Sequence, residues 1–307
     1  MSGTLTQPRG VQLWWQAVRP KTLGMAIHPV ILGTALVWTD QAAIVRPQVP
    51  MVILLCAMAI QAGTNLFNDA QDFVNGTDTT NRIGPPRITA LGWALPHQVS
   101  AAGLFTFLIA LLGGLYLISI GRWPIFFGGL AALWAGYLYS RGPYPISRSP
   151  FGELVVIAFF GLFAVGGTVY LMSENVTVGT LLWGVIAGLP AGAVLLLNNI
   201  RDMNSDRLAG RRTLAIVAGL NPARRIYSAM VLLPFVLIGI GVALNLTTPG
   251  ALLGVLALPL VLKNISALSK LDPSPALNPV LGATVRGQGL LVICAAVGLA
   301  GSRYAAL

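Results

Sequence analysis

Apolar residues run along this chain in long unbroken stretches rather than in alternation. Nine of them approach the ~20 mostly apolar residues that a helix needs to cross a bilayer. They are Thr22–Trp38, Pro50–Phe67, Val99–Ile120, Pro124–Ser140, Phe151–Met172, Val176–Asn199, Ile226–Leu246, Ala251–Ala267 and Gly282–Ala300. Each is nearly free of charge, and glycine is frequent within them, as expected where helices pack closely in lipid. The two-residue alternation of a membrane barrel is missing. The pattern predicts an all-α, multi-pass membrane bundle of about nine transmembrane helices, a single domain over residues 1–307 with residues 1–21 as a cytoplasmic or interfacial N-terminal segment.

Composition agrees. The chain is 55% hydrophobic and 9% charged, where a soluble domain carries about a quarter charged residues, so it cannot build a wetted surface. Polar Met1–Arg19 holds no hydrophobic region followed by a small-residue cleavage site, and no removable signal peptide is expected. Cys56 and Cys294 lie inside apolar runs and imply neither a disulfide framework nor a zinc site. The net charge of +10 raises nucleic acid as a partner, but its distribution argues otherwise. With the N-terminus cytoplasmic, only Arg46, Arg122 and Arg303 fall on the far side and the other basic residues on the near one. The positive-inside rule then places the N-terminus and the near-side loops in the cytoplasm. The segment Val11–Val18, with Trp14 and Trp15, suits an interfacial helix on that face.

Of the nine acidic residues, five sit in two short stretches after the second and sixth spans. The first runs Asn65-Leu-Phe-Asn68-Asp69-Ala-Gln-Asp72, followed by Asp78; the second runs Asn198-Asn199-Ile-Arg201-Asp202-Met-Asn-Ser-Asp206. Asn68 and Asp72 are four apart, as are Asn198 and Asp202, and Asp202 and Asp206. If the helices continue through these stretches, each cluster presents its oxygens along one face. Crowded carboxylates near hydrocarbon need a cation. Oxygen-only ligands without nearby cysteine or histidine suit Mg²⁺ or another hard divalent ion, which is usually shared with substrate phosphates. Arg82 and Arg87 follow the first cluster; Arg207, Arg211 and Arg212 follow the second. Metal-binding carboxylates with a guanidinium rim fit a diphosphate. Span, acid motif and arginines recur as a weak internal repeat, so spans two and six are expected to face each other across a central cavity open to the cytoplasmic side. Any one of these aspartates could simply pair with an arginine at the bilayer surface. Two such clusters at matching helix ends in an acid-poor chain favour function.

At these residues the sequence resembles the UbiA-type intramembrane prenyltransferase superfamily, closest to the branch that prenylates 1,4-dihydroxy-2-naphthoate in menaquinone synthesis. The resemblance is carried by Arg19-Pro-Lys21-Thr22-Leu23, by Asn65 to Asp78, by Arg82-Ile-Gly-Pro-Pro-Arg87, by Gly142-Pro-Tyr144-Pro, by Gly152-Glu153 and by Asn198 to Leu214. It implies nine membrane helices and a polyprenyl diphosphate bound through Mg²⁺. Asn68, Asp69, Asp72, Asp202 and Asp206 are then the metal and diphosphate ligands, the four aspartates being the catalytic set, with Asp78 and Asn198 as helpers. Lys21, Arg82, Arg87, Arg201, Arg211 and Arg212 are expected at the diphosphate, and Arg141 and Tyr144 among the substrate contacts. Tyr144 and Arg148 have the tyrosine-to-cation spacing of the hydroxybenzoate branch, with arginine replacing its lysine, so the aromatic acceptor stays open between branches.

The implied chemistry is ionisation of an allylic diphosphate, shielding of the allyl cation from water, and attack by an electron-rich ring; for dihydroxynaphthoate the prenyl group replaces the carboxylate as CO₂. Asp72, Asp202 and Tyr144 are the candidates to assist the phenol. His28 and Pro29 fall within the first span, where packing and a kink account for them. A cation transporter is the rival from another class, since paired acids and internal repeats also occur there. Its sites lie near the midplane, whereas these acids sit at helix ends among arginines.

Overall fold

The computed structural model describes residues 7–40, 46–76 and 86–305. Asp78, Arg82 and the Lys21 side chain lie outside the described residues. Twelve α-helices follow in chain order: α1 Val11–Ala17, α2 Pro20–Thr39, α3 Val49–Val74, α4 Pro96–Leu138, α5 Gly152–Ile157, α6 Ala164–Ser173, α7 Val178–Arg201, α8 Met203–Leu208, α9 Leu214–Ala218, α10 Leu220–Ala243, α11 Leu258–Lys270 and α12 Asn278–Ala305. No strand occurs among the described residues.

Among the described residues, eight helical segments are long and apolar enough to cross a membrane. One of them, α4, has 43 residues, about 65 Å at 1.5 Å per residue and twice the thickness of a bilayer core. It turns back at Arg122, whose φ of 53° and ψ of −142° interrupt the helix just before Pro124. A Cβ on Gly121 would stand 2.2 Å from Cγ1 of Ile125, so only glycine fits inside that turn. The two limbs are the third and fourth predicted spans. Phe107 on the first limb reaches Gly136 on the second.

Two expected helices differ in detail. The second span continues past Phe67 to Val74 and carries its acid motif wholly inside α3. The sixth stops at Arg201, where Asp202 (φ −91°, ψ 5°) joins α7 to the short α8. The second motif therefore bends rather than continuing along one helix face. The eighth span begins as a 3₁₀ stretch, Pro249–Ala257, before α11. A π-helical turn, Ala158–Phe163, joins α5 to α6.

The most buried span is α7 and the least buried is α4. Helix α7 packs against α5, α10 and α12, and α3 packs against α4. Bare backbone makes the closest contacts. A Cβ on Gly161 would stand 2.3 Å from the carbonyl oxygen of Gly184, and one on Gly298 would stand 1.9 Å from that of Gly250. Small residues at such crossings let helices approach in a solvent that supplies no hydrophobic drive. Gly298→Leu is expected to separate α12 from the 249–257 segment and abolish the monodisperse size-exclusion peak of the detergent-solubilised protein. Gly301→Leu, at a position open to its surroundings, should leave the peak unchanged.

Candidate active site

Helix α3 sets the first acid cluster. Asn65, Asn68, Asp69 and Asp72 are all buried, which is affordable only because each is bonded. Asn65 donates through Nδ2 to the Val18 carbonyl (2.9 Å) and to Thr22 Oγ1 (3.1 Å), tying α3 to the start of α2. Asn68 donates to Ser140 Oγ (2.8 Å) and accepts from Arg87 Nη2. The same Nη2 donates to Asp72 Oδ2 at 3.0 Å. Asn68 and Asp72 both line a cavity of about 1240 Å³. Asp69, one residue after Asn68 and so about 100° around the helix, looks the other way. Its carboxylate accepts from the backbone N–H groups of Ile88 and Thr89 (3.2 Å each) and from the Thr89 hydroxyl. It anchors the segment that carries Arg87 and does not line the cavity.

The second cluster enters from α7. Asn198 donates to the Val194 carbonyl (3.2 Å), and Asn199 donates to Glu153 Oε1 (2.8 Å); both asparagines line the cavity. Arg201 grips Asp202 with two parallel bonds, Nε to Oδ1 at 2.8 Å and Nη2 to Oδ2 at 2.6 Å, and donates to Asn278 Oδ1 on α12 (3.0 Å). Asp202 lines the cavity, whereas buried Asp206 stands behind it.

Arg211 joins the clusters. It donates to Asp72 Oδ1 at 2.8 Å and lies 3.5 Å from Asp206 Oδ1. Asp72 and Arg211, 139 residues apart in sequence, thus bring the two motifs together on one guanidinium. Burial works against its charge, but Asp72 and Asp206 outweigh burial and hold Arg211 above the ordinary arginine range. Arg87 is shifted down by burial, with Asp72 and Asp69 opposing.

Of the other expected residues, three fall outside this arrangement. Arg141 lies over the rings of Phe67 and Tyr137 and donates to Ser100. Tyr144 is 92% exposed. Arg212 is exposed and donates its backbone N–H to the Arg148 carbonyl. None of the three lines the cavity.

Other residues enter that the sequence reading did not assign. Arg19 lines the cavity in a left-handed backbone conformation (φ 57°, ψ 71°) directly before Pro20, a strained geometry for a residue with a side chain. Burial, then Arg87, lower its pKa to about 9, which leaves it charged at neutral pH. Its only signal was the Arg-Pro-Lys entry to the first span. Trp15 lines the cavity besides facing outward. Tyr139, at the end of α4, lines it as well.

Among the described residues, five arginines and two aspartates line the cavity: Arg19, Arg87, Arg201, Arg211 and Arg286, with Asp72 and Asp202. The rest of the lining is mostly apolar and runs as far as Leu117, Ile125 and Leu171, residues close to the turn at Arg122. The polar end carries an excess of positive charge and opens on a long apolar chamber, which suits an anionic head with a hydrocarbon tail. Among the described residues no three His, Cys, Asp or Glu side chains form a protein-only metal cage. Asp72 and Asp202, with the amide oxygens of Asn68 and Asn198 beside them, fit instead a hard divalent ion that keeps positions open for phosphate oxygens.

The profile of the UbiA prenyltransferase family matches residues 26–278. The 1,4-dihydroxy-2-naphthoate octaprenyltransferase of Escherichia coli is 32% identical, over 96% of this chain and 97% of its own. The Mycobacterium tuberculosis protein of the same name is 33% identical over 94% and 96%. A UbiA homologue from Archaeoglobus fulgidus, solved bound to DMAPP and Mg²⁺, superposes with a TM-score of 0.64 at 12% identity, covering 93% of this chain and 98% of that one.

Proposed function

Since this chain belongs to the UbiA prenyltransferase family, we propose that it transfers a polyprenyl group from a polyprenyl diphosphate to 1,4-dihydroxy-2-naphthoate, with Mg²⁺ and with loss of CO₂, giving a demethylmenaquinol. The excess of basic residues on the N-terminal side supports a site at the cytoplasmic face of the cell (inner) membrane. The observation that carries this reading is the meeting of Asp72 and Asp206 on Arg211 at the head of an apolar chamber. The names of the relatives support the acceptor.

In this mechanism Asp72 and Asp202, with Asn68 and Asn198, are the residues that would hold the metal. Mg²⁺, when bound, supplies Lewis-acid stabilisation of the diphosphate oxygens. Arg87, Arg201, Arg211 and Arg19 surround the remaining oxygens, so charge developing on the leaving group meets donors already in place. Asp69 and Asp206 act one layer back, the first holding the Arg87 segment and the second holding Arg211. The C–O bond breaks and its electron pair departs on the diphosphate. The allyl cation left behind is kept from water by the apolar walls, including Phe160 and Phe163. The electron-rich ring carbon bearing the carboxylate forms the new C–C bond. The bond to CO₂ then breaks and returns its electron pair to the ring.

The test uses purified protein in detergent with Mg²⁺, a labelled polyprenyl diphosphate and a panel of aromatic acceptors. Prenyl transfer to dihydroxynaphthoate with release of labelled CO₂, abolished by EDTA and restored by Mg²⁺, is the expected result. Transfer only to another acceptor would overturn the naphthoate assignment. No transfer to any acceptor, combined with metal flux in vesicles, would overturn the enzyme reading.

A further inference from the structure

We infer that Arg286 is the residue that binds the carboxylate of the aromatic acceptor. The inference deepens the proposed function and rests on the reading that the acceptor is a hydroxylated aromatic acid.

Arg286 lies inside a membrane span, between Pro275 and Arg303, where a charged side chain is costly and is retained for function by default. It lines the cavity on the same face of α12 as Asn278, Leu281, Gly282 and Val285. Asn278 marks the diphosphate end of that face, since it accepts from Arg201. Eight residues along the helix place the Arg286 backbone about 12 Å deeper. The side chain folds back toward that end, with Nη1 3.8 Å from where a Cβ on Gly282 would stand. The guanidinium is therefore held between the polar head of the cavity and its apolar chamber.

Its state differs from that of its neighbours. Arg87, Arg201 and Arg211 are bonded to Asp72 or Asp202, whereas Arg19, whose Nη2 has no hydrogen-bond partner among the described residues, stands among the charges of Arg87, Asp69 and Asp72 at the polar head. Arg286 has no hydrogen-bond or ion-pair partner among the described residues, and it is exposed to the cavity. An unpaired planar fork of donors at this depth fits a carboxylate in two parallel bonds.

The depth also matches the chemistry. With the diphosphate at Asp72, Asp202 and the clustered arginines, the reacting prenyl carbon lies just beyond its bridging oxygen, toward the apolar chamber. The attacking ring carbon must come within about 3–3.5 Å of it. In dihydroxynaphthoate that carbon carries the carboxylate, so a cation beside it orients the ring. The carboxylate stays paired while the C–C bond forms. Once CO₂ has left, the product has no anion to hold, and its departure from Arg286 is unopposed.

Arg286 is thus a positioning and specificity residue, tested in the full-length protein in detergent. In Arg286→Gln the KM for dihydroxynaphthoate should rise about 10- to 100-fold, the loss of one charged hydrogen-bonded contact. The KM for the polyprenyl diphosphate should stay within about twofold of wild type, a change well below one such contact, and Arg286→Lys should recover part of the loss. A binding measurement independent of turnover compares unreactive 1-hydroxy-2-naphthoate with 1-naphthol. The wild type should prefer the acid at least about tenfold, and the glutamine variant should lose that preference. Discrimination by the wild type that the variant loses supports the inference even where turnover shows a different aromatic acid to be the acceptor. A wild type that binds both probes equally overturns it. So does a glutamine variant whose acceptor KM and acid preference are unchanged, as expected of an arginine that serves lipid phosphate. A variant that raises the diphosphate KM instead makes Arg286 a diphosphate ligand and also overturns it.

Discussion

Asp72→Ala is expected to abolish prenyl transfer, lowering kcat at least about 10³-fold, the scale of losing a preorganised electrostatic centre. Among the described residues, Asp72 is the one carboxylate that lines the cavity and takes two arginines, Arg87 on Oδ2 and Arg211 on Oδ1. Its removal takes away a proposed metal ligand and leaves two buried guanidinium groups short of a partner. Breaking a buried pair from one side costs about 3–5 kcal/mol, so some loss of stability is expected too. Asp72→Asn separates the two effects: it keeps the volume and one acceptor oxygen but not the charge. Both variants should reach the membrane, and the asparagine variant should retain a monodisperse size-exclusion profile while remaining inactive at saturating Mg²⁺. More than about a tenth of wild-type turnover in Asp72→Asn would be incompatible with a metal-binding role, given the 10²–10³-fold effects typical of such centres.

Arg211→Gln is expected to have the next largest effect, reducing kcat/KM by about 10²- to 10³-fold, chiefly through the KM for the diphosphate. The estimate follows from the 2–5 kcal/mol lost when one member of a buried, hydrogen-bonded charge pair is truncated. Arg211 is the only residue seen to bond to aspartates of both motifs among the described residues, so its loss should loosen the second motif from the first as well as remove a diphosphate contact. The KM for the aromatic acceptor should not change. Combined with Asp72→Asn, the double variant should fall short of the sum of the single effects by more than about 1 kcal/mol, because both changes disrupt one network. Additive losses would mean that the two residues act independently.

Much of this molecule was legible in the one-dimensional pattern because a bilayer imposes a length. Stretches of ~20 apolar residues can only be spans, and the nine found in the sequence are the spans of the fold once α4 is seen to turn at Arg122. The acid motifs stood out because carboxylates are so scarce here. Which carboxylate faces the cavity was not legible. Asn68 and Asp69 are adjacent in sequence, yet a turn of about 100° per residue sends one to the chamber and the other to Thr89. The tight junction at Asp202 carries Asp206 behind the cavity wall, although a four-residue spacing on a continuous helix would have aligned them.

Arginines show the same division. Arg141 and Tyr144 read as substrate contacts from the resemblance around Gly142-Pro-Tyr144, but Arg141 is taken up by Phe67 and Tyr137 and Tyr144 faces outward. Arg19 read as part of the Arg-Pro-Lys entry that carries the resemblance, and Arg286 as topological charge. The sequence by itself determined the membrane class, the helical architecture, the family and the two motifs, because hydrophobic length and residue type are local properties. Only the tertiary structure decided which side chains share the cavity and which neutralise one another. It also decided that Arg211 joins the motifs and that Arg286 has no bonded partner among the described residues. Those outcomes depend on the rotation of each helix about its axis and on partners more than a hundred residues away, which no local pattern encodes.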